Sequence, residues 1–304
     1  MLRSPESTAG HWRPAYGALL RSEPGEARDL AARALRRRGT ARTTFALRVV
    51  HGAALFDEGS RHRGLQEMQQ ARTDLGAVTA VGEHAAVPAL LEHRAALALD
   101  RPDAAVAVAE WLEERNGAIG ELLLMRAWAA LSVDHDQAAR AAVGPVLNGS
   151  VPALLPHTVV EALLVETTAL VTGGEVLRAR RALRTALSLS APLDVVRPFA
   201  TAEPPARALL RHHLRRSGTA EPFAVRALAA CHGVHRRRTG RLTAVELSMV
   251  QLLASPLSVA QIAAELDIRS AEDVHGTIRT VYRKLGVSSR RSAVSAARER
   301  RLIR

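Results

Sequence analysis

Lysine is nearly absent from this chain. Of 304 residues, 42 are basic, and Lys284 is the only one that is not arginine. A phosphate-binding loop needs a glycine-rich run followed by Lys-Ser or Lys-Thr, and no such run exists. Schiff-base and lysine-dependent kinase chemistry fall with it, because Lys284 stands in no matching context. Aromatic residues make up only 3%. The core must therefore be built from Ala, Leu and Val, which favours close-packed helices over strands rich in aromatic and β-branched residues. Cys231 is the only cysteine, so no intrachain disulfide can form, and a reducing cytoplasm is the expected compartment. Long hydrophobic runs are missing too. The longest uncharged stretch, 141–160, is broken by Gly144, Pro145, Asn148, Gly149, Pro152 and Pro156, which a membrane-spanning helix would not tolerate. The segment Met1 to Gly25 carries Arg3, Glu6, Arg13, Arg21 and Glu23 around no apolar core, so it does not have the form of a signal peptide.

Apolar residues make up 47% and charged residues 24%, an ordinary balance for a globular chain. The length allows two domains or three. The net charge of +12 is unevenly placed: residues 235–304 hold 14 basic and 6 acidic side chains, a surplus of +8. Such asymmetry points to a polyanionic partner for the C-terminal end.

From Glu26 to about Ala230 the apolar pattern is helical throughout, with no convincing two-residue alternation. Breaks fall at Gly39-Thr40, Asp57 to Ser60, Gly76, Asp100 to Pro102, Asn116-Gly117, Val133 to His135, Asn148 to Pro152 and Thr172 to Gly174. The segments 95–112, 127–147 and 168–187 repeat one plan: a helix ends, a polar turn follows, and an Ala-rich helix begins. Their turn acids Asp103, Asp136 and Glu175 are 33 and 39 residues apart. Residues 51–75 fit the plan more loosely. Periods in this range belong to helix-pair solenoids of the tetratricopeptide type. The alternative is a plain helical bundle without repeats. A solenoid would offer a concave surface to a peptide, a partner or a small effector. His212, His213, Cys231, His232 and His235 lack the paired spacing of structural zinc sites. No catalytic triad signature is present. We therefore expect no metal, no cofactor and no enzyme.

The last seventy residues are more specific. His235 to Gly240 is a charged linker. Thr243 with Glu246, and Ser258 with Gln261, form two capping boxes, and Ser270 with Asp273 forms a weaker one. These predict short helices joined by tight turns, the arithmetic of a helix-turn-helix. The first should bury Val250, Leu253 and Ala254, and the second Ile262, Ala263 and Leu266. The third helix spans about 271–285. With Val274 at 0° and a step of about 100°, Ile278, Val281 and Leu285 fall within about 40° of it. The opposite face carries Glu272, Gly276, Arg279, Thr280 and Arg283, with His275 flanking. Arg can make bidentate contacts to guanine, and Thr can meet the thymine methyl. Gly276 lets the backbone come close to DNA at a helix cost of about 1 kcal/mol. Gly286 should cap this helix. Ser288 or Ser289 should start a fourth helix, with Ala293, Val294 and Ala297 inward. Arg290 and Arg291 at its start suit phosphate, as do Thr243, Ser258, Lys284 and Ser289.

These residues closely resemble the LuxR-type helix-turn-helix domain. The resemblance rests on Leu242-Thr243, Glu246, Leu252-Leu253, Leu257-Ser258, Ile262-Ala263, Leu266, the run Val281 to Val287, Ser288-Ser289-Arg290, Ala293-Val294 and Leu302. It implies a four-helix DNA-binding domain that works as a dimer on two half-sites, with base-reading positions at His275, Gly276 and Arg279. The chain departs from the family pattern in three places. Val245 replaces an Arg, the turn 268–274 is one residue longer, and Asp273, His275 and Thr277 stand where Thr, Lys and His are usual. The helical stretch resembles the repeat domain of MalT-like regulators, with 195–200, 208–214 and 223–231 forming its end. The ATPase module of such regulators has no counterpart here.

The expected fold is all-α: an N-terminal tail (1–25), a tetratricopeptide-like helical repeat domain (26–232), a linker (233–241) and a four-helix LuxR-type domain (242–304). The expected function is transcription regulation in the cytoplasm. The partners would be double-stranded DNA, a second copy of the chain, and a protein or small-molecule effector on the repeats, with no membrane involved. The alternative is a protein–protein adaptor whose altered helix-turn-helix serves docking or dimerisation.

Overall fold

A computed structural model describes residues 12–37, 39–76, 78–216, 222–238, 242–255, 257–266, 268, 271–285, 287, 290–299 and 302–303; side chains at 215–216, 232–238, 271–272, 283, 291–292, 295–296 and 299 lie outside the description. All described secondary structure is helical. The chain divides into two compact units, Met1–His232 and Gly233–Arg304.

The first unit holds α1 (Arg13–Leu20), α2 (Pro24–Leu35), α3 (Ala41–Glu58), α4 (Arg61–Leu75), α5 (Glu83–Ala98), α6 (Pro102–Asn116), α7 (Gly120–Ser132), α8 (Asp136–Leu147), α9 (Pro156–Thr172), α10 (Val176–Ser190), α11 (Arg197–Thr201), α12 (Pro204–Arg216) and most of α13 (Pro222–Arg238). The expected breaks coincide with helix boundaries. Thr40 caps α3 by accepting a hydrogen bond from the Thr43 N–H, and Gly59 ends the same helix at φ +110°. Asp103 and Asp136 sit in the first turns of α6 and α8, and Glu175 immediately precedes α10.

Packing follows from the small side chains. Helices pair as α3 with α4, α5 with α6, α7 with α8 and α9 with α10. The tightest crossing lies between α3 and α4. A methyl group on Gly64 would stand 2.4 Å from the Gly52 carbonyl oxygen and 2.7 Å from the Phe56 nitrogen. The first helix of each pair also meets the first helix of the next, so α1, α3, α5, α7 and α9 form an inner layer.

That layer returns on itself. The Val196 N–H donates to the Leu20 carbonyl at 2.8 Å. Tyr16 Oη lies 2.8 Å from His157 Nε2. Arg197 donates to both carboxylate oxygens of Asp57, at 2.7 and 3.3 Å. These bonds tie α1 and α3 to α9 and α11, across 140 residues or more of chain. Burial first, then Arg197, pushes the His157 pKa down to about 4. The same burial, with Arg94 adding to it, takes His93 down to about 3. Both imidazoles are neutral near pH 7.

Two boundaries differ from expectation. The segment expected as a tail over 1–25 contains α1 and the start of α2, and Trp12, Ala15, Tyr16, Ala18 and Leu19 are buried. Spacings of three and four residues put these on one helix face, but the charged residues around them hide the pattern. Residues 1–11 lie outside the described set. The linker expected over 233–241 is helical backbone as far as Arg238, a continuation of α13. Gly233 and the arginine run did not interrupt the helix, because Arg propagates helix nearly as well as Ala.

Candidate nucleic-acid interface

The second unit holds α14 (Ala244–Leu253), α15 (Val259–Glu265), α16 (Ala271–Leu285) and α17 (Arg290–Glu299). Both strong capping boxes form in full. Thr243 Oγ1 accepts from the Glu246 N–H, and Glu246 accepts from the Thr243 N–H at 2.7 Å. Ser258 and Gln261 exchange the same two bonds. Capping uses an oxygen lone pair, so each hydroxyl proton is not consumed by the cap. The third box cannot be followed, because Ser270 lies outside the described residues, as do Gly286, Ser288 and Ser289.

The core is small. Met249, Val250, Leu253, Ile262, Val274, Ile278, Val281, Leu285, Ala293 and Ala297 are buried, with Ala263, Leu266 and Val294 packed against them. All four residues of the α16 stripe are inside. Met249 was not anticipated as core, and Ala254 is exposed rather than buried, because α14 has ended at Leu253.

With the stripe inward, α16 turns its other side to solvent. His275 and Arg279 are exposed and make no hydrogen bond or ion pair with any described residue. Gly276 is half-buried, yet a methyl group placed on it would meet nothing within 4 Å. No packing within the described chain therefore calls for glycine at this mid-helix position. Thr280 is half-buried and has an interaction of its own within the chain. Thr277 donates back to the Asp273 carbonyl at 3.0 Å, the usual way a mid-helix Thr satisfies its hydroxyl. The side chains of Glu272 and Arg283 lie outside the described set.

Two of the residues expected to meet phosphate are engaged inside the domain. Arg290 lies across the end of α14, where its guanidinium donates to the carbonyls of Leu253 at 2.9 Å, Leu257 at 2.8 Å, Ser255 at 2.5 Å and Leu252 at 3.4 Å. The last carbonyls of a helix have no partner within it, and Arg290 supplies one from α17. This corrects the expectation of an outward phosphate contact. Lys284 pairs with Glu246 at 2.5 Å, joining α16 to the start of α14. Burial opposes the Glu246 charge, but the bonds from Lys284 and Thr243 overcome it and hold the carboxyl below its ordinary pKa. The Arg291 side chain and Ser289 lie outside the described residues.

Residues 241–297 match the family described as bacterial regulatory proteins, luxR family. The C-terminal unit carries a LuxR-family helix-turn-helix domain. No curated protein and no solved structure matches the chain. The LuxR-type domain thus supports DNA binding and transcription regulation as its activity. Among the described residues, no helix is long and apolar enough to cross a membrane.

Proposed function

We propose that this protein is a transcription regulator. Its LuxR-type domain reads duplex DNA through the outer face of α16, and its helical array, a tetratricopeptide-like repeat, receives a partner or effector. His275, Gly276 and Arg279 meet base edges, with Glu272, Thr280 and Arg283 beside them. Thr243, Ser258, Ser289 and Arg291 meet phosphate. Lys284 ties the reading helix to the start of α14, and Arg290 ties α17 to its end. A homodimer on two half-sites gives the domain its reach. The observation that carries this reading is the exposed, unengaged His275–Gly276–Arg279 face, directly opposite a fully buried stripe.

The test is selection of genomic fragments by the full chain, followed by titration of the best fragment over a salt series. Affinity should fall steeply with salt as phosphate counterions are released. Equal affinity at low and high salt would contradict the phosphate contacts. The altered positions Asp273, His275 and Thr277 favour a second reading, an adaptor that docks a protein through this domain. Failure to enrich any fragment over random DNA would select it.

A further inference from the structure

The basic charge of the first unit is concentrated in one stretch. Residues 176–216 hold nine arginines and two acids, while the rest of 1–234 holds 19 basic and 22 acidic side chains. The stretch spans α10, α11 and α12. Ala179, Ala182, Leu183, Ala186 and Leu187 form the buried side of α10. Its outer side carries Leu177, Arg181, Arg184 and Ser188, all exposed, at spacings of three and four residues that align them on one face. Arg180 flanks them and lies 3.3 Å from His212 Nε2, which sets the later turns of α12 beside α10. Arg211, next to His212, is exposed as well.

Arg181, Arg184 and Arg211 make no hydrogen bond or ion pair with any described residue. The described acids on the surrounding elements are engaged elsewhere. Glu166 and Glu175 face Arg140, at 3.9 and 3.1 Å, and Glu175 also pairs with Arg178. Asp194 pairs with Arg226 at 2.6 Å. Glu203 lies 3.7 Å from Arg94 and acts on Arg207 as well. Glu161 faces Arg94 and Arg197, and Asp136 on α8 bonds to Thr172 at the end of α9. Like charges three and four residues apart oppose the helix that carries them. The packing of α10 therefore does not account for its arginines.

We propose that this face of α10 and α12 binds the phosphate backbone of duplex DNA, without reading sequence, as a second contact besides that of the LuxR-type domain. It rests on the reading of that domain as a DNA binder, which brings the duplex. Twelve residues lead from Cys231 to Thr243, and 232–238 continue α13 as helix, so the tether is at most about 30 Å long. A duplex held by the LuxR-type domain therefore stays at high effective concentration around the array, and even weak phosphate contacts there add to affinity. Arginine suits phosphate because its paired N–H groups match two oxygens at once, and Ser188 adds a hydroxyl. An acidic protein would call for a desolvated aromatic or apolar anchor as well. The one aromatic residue of the stretch, Phe199, is buried, and the exposed Leu177 and Leu189 stand apart at opposite ends of α10.

The experiment uses the full-length protein, titrated over a salt series with its best genomic fragment and with random duplex. One triple variant carries Arg181→Gln, Arg184→Gln and Arg211→Gln. A second removes the same charge from the end of α2, through Arg33→Gln, Arg36→Gln and Arg37→Gln. The first variant should weaken both kinds of DNA by the same factor, about tenfold at low salt, and lower the salt slope by about two to three. The second should change the slope much less. An unchanged slope in the first variant would overturn the DNA contact and leave the face to an acidic protein. Equal losses in the two variants would reduce the effect to net charge and overturn it too, as would a loss confined to the best fragment. Should the first variant fail to fold, the parent still decides: bound duplex should protect Arg181 and Arg184 from a dicarbonyl reagent more than Arg33 and Arg36, and equal protection would overturn the proposal. Steep salt dependence in the parent with no change in the variant removes this face alone. A lowered slope in a protein that enriches no fragment over random DNA keeps the face and removes sequence reading. A parent that binds no duplex removes both.

Discussion

The two units of this protein are held together by different means. The first relies on close contact: small residues at the helix crossings, and a few buried polar bonds that tie the ends of the array together. The second has a core of ten buried residues among the described ones and cannot rely on burial alone. It relies on two complete capping boxes, the Lys284–Glu246 pair and the Arg290 carbonyl clamp. A glycine illustrates the contrast in each unit. Gly64 is needed because another backbone occupies the space, whereas Gly276 has open space around it. One glycine is explained from inside the fold, and no packing within the described chain explains the other.

The sharpest separation of the units should come from acid. His157 and His93 have folded-state pKa values of about 4 and about 3, below the ordinary 6.5. The unfolded chain therefore takes up protons first, and the array loses stability as pH falls from about 6.5 toward 4. By pH 5 the loss should be roughly 2 kcal/mol for each histidine. Glu246 is shifted downward, so its contribution is complete above the ordinary carboxylate range and drains only as pH falls through its lowered value. Denaturant melts of the full chain at pH 7 and pH 5 should show the transition of the first unit moving while that of the second stays. Parallel movement of both transitions would break the comparison.

Next in size is Gly64→Ala. Helix propensity alone would make this change stabilising by about 1 kcal/mol. The added methyl group instead meets two backbone atoms that cannot turn away, so α3 and α4 must separate. The expected outcome is a loss of about 3 kcal/mol, confined to the first unit and visible in its thermal transition. A gain in stability would show that the crossing is looser than described.

Arg290→Met probes the second unit in the same spirit. The variant keeps the aliphatic bulk and removes the donors to four carbonyls. Unfolding of residues 240–304 should become easier by about 2–3 kcal/mol. At a temperature where the variant is folded, the salt dependence of DNA binding should match that of the parent. A salt slope reduced by about one would restore the phosphate contact.

How much of this was legible beforehand depends on which physical rule acts locally. Caps and helix faces are local, so the α14 and α15 boxes and the Val274–Ile278–Val281–Leu285 stripe could be read from spacing. The breaks in the array were equally plain, because Gly, Asp and Pro punctuate helices wherever they stand. The Arg290 clamp could not be read, since its four carbonyls lie 33 to 38 residues away and carry no side-chain signature. The same is true of the Tyr16–His157 and Asp57–Arg197 ties, which exist only once the array turns back on itself. Helix α1 was hidden for a different reason: its apolar face is only two turns long and is flanked by charged residues, Arg13 at its start and Arg21 and Glu23 just after it.

Arg279→Ala addresses what α16 does with its exposed face. Arg279 makes no bond within the described chain, so the variant should melt as the parent does. Affinity for the best genomic fragment should fall by about 1–3 kcal/mol, and affinity for random DNA by much less. Equal loss on both would mean that Arg279 contributes charge without reading sequence, and would favour the adaptor reading.

The effect most informative in sign belongs to Gly276→Ala. Alanine costs nothing sterically, because the new methyl group meets nothing within 4 Å. Replacing a mid-helix glycine should stabilise the second unit by up to about 1 kcal/mol. This is the opposite sign from Gly64→Ala in the first unit, although the substitution is the same. If the α16 backbone approaches a base edge or the sugar–phosphate chain, the methyl group will stand in the way. The variant should then bind its best fragment more weakly while folding more firmly. A thermal melt and a titration on the same preparation measure both. Greater stability with unchanged DNA affinity would mean that the outer face of α16 does not come close to DNA at this position, and Gly276 would lose its place among the reading residues.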